Sequence, residues 1–140
     1  MSRPDGLSVT PSEETAGLDP INALGALDDT ARANVIGTIV GHPKGAPSKK
    51  EIEYYNPGIA PSTLTDHLSR LEEVGLIEAV ERERKGLERG QPYRFFQLTE
   101  AARDLFDQNN LFEPEAYRAM FAEVETTDEI EAAEAVERPD

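Results

Sequence analysis

Cysteine and tryptophan are absent from this 140-residue sequence, and methionine occurs twice. Without cysteine there is no disulfide framework, no thiolate metal site and no thiol nucleophile. Long apolar runs are missing as well. Val35-Ile36 and Ile39-Val40 within ANVIGTIVG fall far short of the roughly 20 residues that span a bilayer. The opening MSRPDGLSVT lacks the hydrophobic region of a secretory signal. The expectation is a soluble, cytoplasmic protein with no membrane partner. Histidine is limited to His42 and His67, too few nitrogen ligands for more than weak binding of a hard metal, so no metal or cofactor is expected.

Basic residues are also scarce. Four lysines (Lys44, Lys49, Lys50, Lys85) and ten arginines face 28 acidic side chains, for a formal net charge of −14. This composition resembles that of proteins from salt-in halophilic archaea. There, dense carboxylates keep a chain hydrated while molar salt screens their repulsion to within roughly 3 Å. The plainer alternative is an acidic mesophilic protein with an acidic tail.

The charge is unevenly spread. Residues 1–46 hold three basic and six acidic side chains, 47–98 hold eight and nine, and 99–140 hold three and thirteen. The stretch from Arg82 to Arg94 has Arg82, Arg84, Lys85, Arg89 and Arg94 against only Glu83 and Glu88. A locally basic segment in an acidic chain is the first pointer to function.

Residues 1–18 are rich in Ser, Thr, Pro, Gly and Glu and read as a disordered arm, because so few apolar groups cannot offset the entropy of ordering. A short helix is expected from Pro20, with Ile21, Leu24 and Leu27 at three-residue spacing. A second follows, capped by Asp28 or Asp29, with a Val35, Ile36, Ile39, Val40 stripe. Ser48 and Glu51 have capping-box spacing and open a third helix through Tyr54 or Tyr55. A fourth, about 61–74, repeats Leu64, Leu68 and Leu71 on one face and ends at Gly75.

Residues 76–83 and 92–98 read as two strands of a hairpin with a long charged tip. Tyr54-Tyr55 and Phe95-Phe96 are assigned to core and hairpin packing. Thr99 caps a helix through about Gln108, and Pro114 opens another to about Val124. Residues 126–140 form an acidic tail, disordered or partly helical, whose large apolar residues are Ile130 and Val136. The fold class is therefore mainly α with a small β-hairpin (α+β). Residues 19–109 form one domain, and 110–125 an additional helix.

That order of elements is a winged helix-turn-helix. LGALDDTARANVIGTIV resembles the opening helices of ArsR-like transcriptional regulators. IAPSTLTDHLSRLEEVGLIE resembles their recognition helix and first wing strand, and LTEAARDLF the helix after the wing. The resemblance covers about residues 20–110. It implies double-stranded DNA as partner, with the recognition helix in a major groove about 12 Å wide. The face opposite the leucines presents Ser62, Thr63, Thr65, Asp66, His67, Ser69 and Arg70 to bases and phosphates.

Arg82, Arg84, Lys85, Arg89 and Arg94 of the wing, with Lys49 and Lys50, are candidate phosphate or minor-groove contacts. The alternative for the wing is a solvated charge run paired across the hairpin. Asp66 either accepts from a cytosine amino group or is one more surface carboxylate. His67 either reads a base or packs at the helix flank. The thiolate motif of the metal-sensing members is missing, which excludes thiolate sensing.

The resemblance further implies a homodimer paired through terminal helices. Leu111, Phe112, Ala116, Tyr117, Met120, Phe121 and Val124 are the candidate interface, since a helix so far past the wing is expected to have little core of its own to cover. The alternative is packing on its own domain. No phosphate loop, metal-ligand pair or nucleophile–base signature is present, so no enzymatic activity is expected. The rival to a DNA-binding regulator is a winged-helix interaction module in a transcription, replication or chromosome complex, because fold does not fix function.

Overall fold

Seven helices and one hairpin follow one another in the chain, in a computed structural model that describes residues 18–139. The expected disordered arm lies outside the described residues except for Leu18. That residue is buried in the core, so the domain begins one residue earlier than its composition indicates.

Helix α1 (Pro20–Leu27) starts at Asp19, whose carboxylate accepts from the Ile21 backbone N–H. Its buried face is not the one that the spacing of large residues indicates. Ala23 and Ala26 face inward, whereas Ile21 is 81% and Leu24 45% exposed. Small side chains are what face the neighbouring helices, and the bulkier residues stay outside, as large apolar groups often do on protein surfaces. Helix α2 (Thr30–Gly41) is capped by Asp29 and buries Val35, Ile36 and Ile39.

Helix α3 (Lys49–Tyr55) opens with the full capping box. Ser48 Oγ accepts from the Glu51 backbone N–H, and the Glu51 carboxylate accepts from the Ser48 backbone N–H at 2.8 Å. Such a cap contributes about 1 kcal/mol. After a turn at Asn56-Pro57-Gly58, helix α4 (Pro61–Glu73) begins with Pro61 at its first position, where no N–H is needed. Leu64, Leu68 and Leu71 are all buried, which fixes the helix axially and leaves its opposite face to solvent. Gly75, at φ 83°, ends it in the left-handed region that favours glycine.

Strands β1 (Ile77–Glu81) and β2 (Arg94–Leu98) pair antiparallel, from Ile77 opposite Leu98 to Glu81 opposite Arg94. The Phe96 N–H also donates to Pro47 C=O at 2.9 Å, tying the segment before α3 to the hairpin. Thr99 joins the two ends of the motif. Its hydroxyl donates to Gly75 C=O at 2.6 Å while accepting from the Ala102 N–H, the first-turn cap of α5 (Glu100–Gln108).

Helix α6 (Pro114–Ala122) lies across α2. Gly37 and Gly41 make that approach possible. A Cβ on Gly41 would sit 2.7 Å from the Tyr117 carbonyl oxygen, and one on Gly37 2.6 Å from the Tyr117 ring. Against the expectation that α6 has little of its own chain to cover, its Tyr117 side packs on α2, the alternative named for it. Two glycines four residues apart cut a seat in α2 that a hydropathy pattern does not register.

Helix α7 (Asp128–Ala135) folds back onto α3. The tail is helical over those residues, and it buries Ile130, Ala133 and Val136. Val136 closes a second small core with Ala46 and Phe95. Adjacent Phe95 and Phe96 are thus both buried, one on each face of β2, because the tail covers the face that would otherwise be wet.

Candidate nucleic-acid interface

The leucine seat of α4 presents Ser62, Thr63, Thr65, Asp66, Ser69 and Arg70 as exposed residues. Thr65 donates its hydroxyl to Pro61 C=O, which leaves the oxygen lone pairs outward. Arg70 bonds Glu73 on its own helix at 2.5 Å, an exposed pair worth little in water and readily exchanged for a phosphate. His67 is half-buried on the flank toward the start of α2. There, the Arg32 backbone N–H foremost, helped by the Arg32 and His67 charges, holds the Asp29 carboxyl below the usual carboxylate range against the opposing effect of burial.

The wing residues divide into two sets. Arg82 is half-buried and occupied, since its guanidinium donates to Glu83, Lys85 and Glu137 carbonyls. Arg94 faces Glu81 across the hairpin at 3.8 Å. Lys85 and Arg89 are exposed and have no acidic partner among the described residues, and Arg84 stacks on Tyr93 with 4.0 Å to the ring centroid. Gly86 and Gly90, both at positive φ, shape the turns of this tip.

On α3, Lys49 pairs with Glu53 at 3.6 Å and Lys50 with Glu129 of α7 at 2.5 Å. The exposed polar face of α4 and the wing tip around Lys85 and Arg89 are thus accessible, whereas Arg82 and Lys50 are engaged by the final segment of the chain.

The residues grouped as a partner face also divide. Tyr117 lies on Gly37 and Gly41, and Phe121 stacks on Tyr55 with centroids 4.0 Å apart. Leu111 and Phe112 pack against the main core. Ala116, Met120 and Val124 remain exposed.

Sequence reasoning missed the strongest polar cluster. His42 and Glu51 are both 1% exposed. The Lys44 backbone N–H donates to His42 Nδ1 at 3.1 Å, so Nδ1 bears the lone pair and Nε2–H donates to Glu51 Oε1 at 2.7 Å. Arg138 reaches the other oxygen, Oε2, at 2.7 Å, and donates to the carbonyls of Ala46, Ala133, Glu134 and Val136. Its guanidinium lies over Phe95, 4.2 Å from the ring centroid.

Burial alone pushes the Glu51 carboxyl up. Hydrogen bonds from His42 and Ser48 and the charge of Arg138 outweigh that and hold it below the usual carboxylate range. Burial likewise lowers Arg138, with Glu51 opposing it. The nearby Tyr55 hydroxyl is pushed up to about 12, by burial first and then by the Glu134 and Glu51 charges. One signal of this cluster was legible, since Arg138 is the only basic residue after Arg118.

Among the described residues no group of three or more His, Asp or Glu side chains is placed to hold a metal, and no helix is long and apolar enough to cross a membrane. An open groove of about 960 Å³ runs between the end of α2, α5 and the start of α6. Arg103 and Arg118 line it together with Asp104, Asp107 and Glu113, a mixture that singles out no ligand class.

This chain is similar to the solved structure of a protein with a GntR superfamily winged-helix-turn-helix domain from Halomicrobium mukohataei. The TM-score is 0.78 at 25% identity, covering 96% of this chain and 93% of that one. The fold is a winged helix-turn-helix, α+β in class. No family model matches the chain, and no curated protein matches it.

Proposed function

We propose that this protein is a sequence-specific double-stranded DNA-binding transcriptional regulator of a halophilic archaeon. It acts in the cytoplasm as a homodimer, with α4 in the major groove and the wing tip on the backbone or minor groove. The observation that carries this reading is the outward polar face of α4, Ser62 to Arg70, held rigid by three buried leucines beside a wing whose Lys85 and Arg89 are free of acidic partners among the described residues. Its likeness to a winged helix-turn-helix protein of a haloarchaeon supports both the fold class and the salt-adapted setting.

The ArsR-like affinity rests on the sequence motifs of 24–40, 59–78 and 98–106, while the structural neighbour has a GntR superfamily domain. The proposal needs only the helix-turn-helix and wing that both kinds share. Promoter occupancy would block or recruit the transcription machinery. In the homodimer, Ala116 and Met120 of α6 and Val124 just after it are left for the second copy.

A rival reading, the protein-interaction module, is favoured by the engagement of Lys49, Lys50, Arg70, Arg82 and Arg94 with acidic or carbonyl groups of the chain itself. A titration of labelled DNA from upstream of its own gene against a scrambled duplex, from low to molar potassium chloride, separates the two. Tight, sequence-dependent binding in high salt is expected. Absent binding of both duplexes at every salt by folded protein selects the interaction module, and equal binding of both removes the sequence specificity from the proposal.

A further inference from the structure

The proposed interface has two parts, α4 and the wing, joined in sequence by the turn at Gly75 and in space by the packing of α4 on the base of the hairpin. Arg138 touches the support of both. Through Glu51 Oε2, at 2.7 Å, it holds the N-terminal turn of α3, the helix that precedes α4. Through the Phe95 ring at 4.2 Å, and the Ala46 carbonyl at 2.9 Å, it holds the inner strand of the wing and the segment that bonds it. Its own segment is fixed by three further carbonyls at 2.6–3.0 Å.

A planar guanidinium with five donors suits this divergent set of acceptors, and an ammonium does not. Around it, Arg82 bonds Glu137 C=O, Lys44 bonds Val136 C=O and Lys50 pairs with Glu129, so the segment is stitched to the wing, the α2–α3 turn and α3.

We propose that Arg138 is a positioning residue for the DNA-binding surface: it clamps the first helix of the helix-turn-helix to the wing and thereby sets the spacing between α4 and the wing tip. The spacing itself is a property of the chain. Its effect on DNA rests on the reading given under Proposed function. The acidic residues around Arg138 are then structural neighbours of a clamp, not a detachable mask over the cations. Release would leave the Glu51 carboxylate, 1% exposed, without the guanidinium that balances its charge.

The absence of native cysteine permits a direct test. Spin labels at Ser69→Cys and Glu88→Cys report the distance from α4 to the wing tip by pulsed electron paramagnetic resonance in the full chain. With Arg138 the distribution is expected to be narrow, with Arg138→Ala broad or displaced, and with Arg138→Lys intermediate. Identical distributions for Arg138 and Arg138→Ala overturn the proposal.

On unlabelled protein, kept well below the melting temperature of each variant, Arg138→Ala is expected to weaken binding to the upstream duplex about tenfold and to lower its preference over a scrambled one. An unchanged preference together with a changed distance overturns the link to DNA. If the unsubstituted protein binds no DNA, the DNA-binding reading fails while the distances still decide the clamp. Should Arg138→Ala not fold, Arg138→Lys, which keeps the charge and the stem, carries the same two comparisons. Distances and preference unchanged in that folded variant would then overturn the proposal.

Discussion

The wing tip and the final segment use basic side chains in opposite ways. Lys85 and Arg89 stand exposed at the wing tip beside glycines at positive φ, with no acidic partner among the described residues. Arg138 sits in the most acidic third of the chain, yet only 8% of its side chain is exposed, and it spends its donors on one carboxylate and four carbonyls. The difference lies in where backbone acceptors and a buried carboxylate converge. A charge in water is free to meet a partner molecule, whereas a buried one is committed to the fold, because removing its partner leaves an uncompensated ion.

The contrast can be broken most forcefully at Glu51. Glu51→Ala is expected to cost about 3–5 kcal/mol in denaturant unfolding, since it strands Arg138 and His42 in the interior and removes the α3 cap. A loss below 1 kcal/mol would mean that the cluster is solvated. Gly41→Ala comes next. Its Cβ meets the backbone oxygen of Tyr117 at 2.7 Å, so a loss of about 1–3 kcal/mol is expected, with faster amide exchange in α6 than in α4.

The wing should behave in the reverse manner. Arg84→Ala with Arg89→Ala should leave unfolding within about 0.5 kcal/mol of the parent while weakening binding to both specific and scrambled duplexes and reducing the salt slope by about two. If binding is unchanged, the wing does not touch DNA.

The smallest effect is on pH. The carboxyl of Glu51 is held below its ordinary value of 4.5 in the folded state. Its contribution is therefore fully present above that value and is lost as pH falls through the lowered one. Melting of the parent is expected to decline below about pH 4.5 more steeply than that of Glu51→Gln. Parallel curves would remove Glu51 from the acid response.

Much of the helix-turn-helix was legible because its signals are local. The i, i+4, i+7 leucines of α4, the Ser48 and Thr99 caps and the glycine that ends α4 each depend on neighbours within a few residues, and each element formed where its signal lay. Other elements were not legible in this way. Ile21 and Leu24 have helical spacing but face solvent, and α6 buries little yet is seated by two glycines on another helix. A tail with two large apolar residues still orders, because Phe95 and Ala46 were waiting for Val136.

By itself the sequence determined the helix-turn-helix, the hairpin after it and the concentration of cations at the wing, since periodicity, capping and composition act over a few residues. Only the tertiary structure decided which cations stay free, which face of α6 is covered and that Arg138 joins His42 and Glu51, which are 96 and 87 residues away. Those outcomes depend on acceptors and cavities assembled from distant segments, and no local pattern encodes where such segments meet.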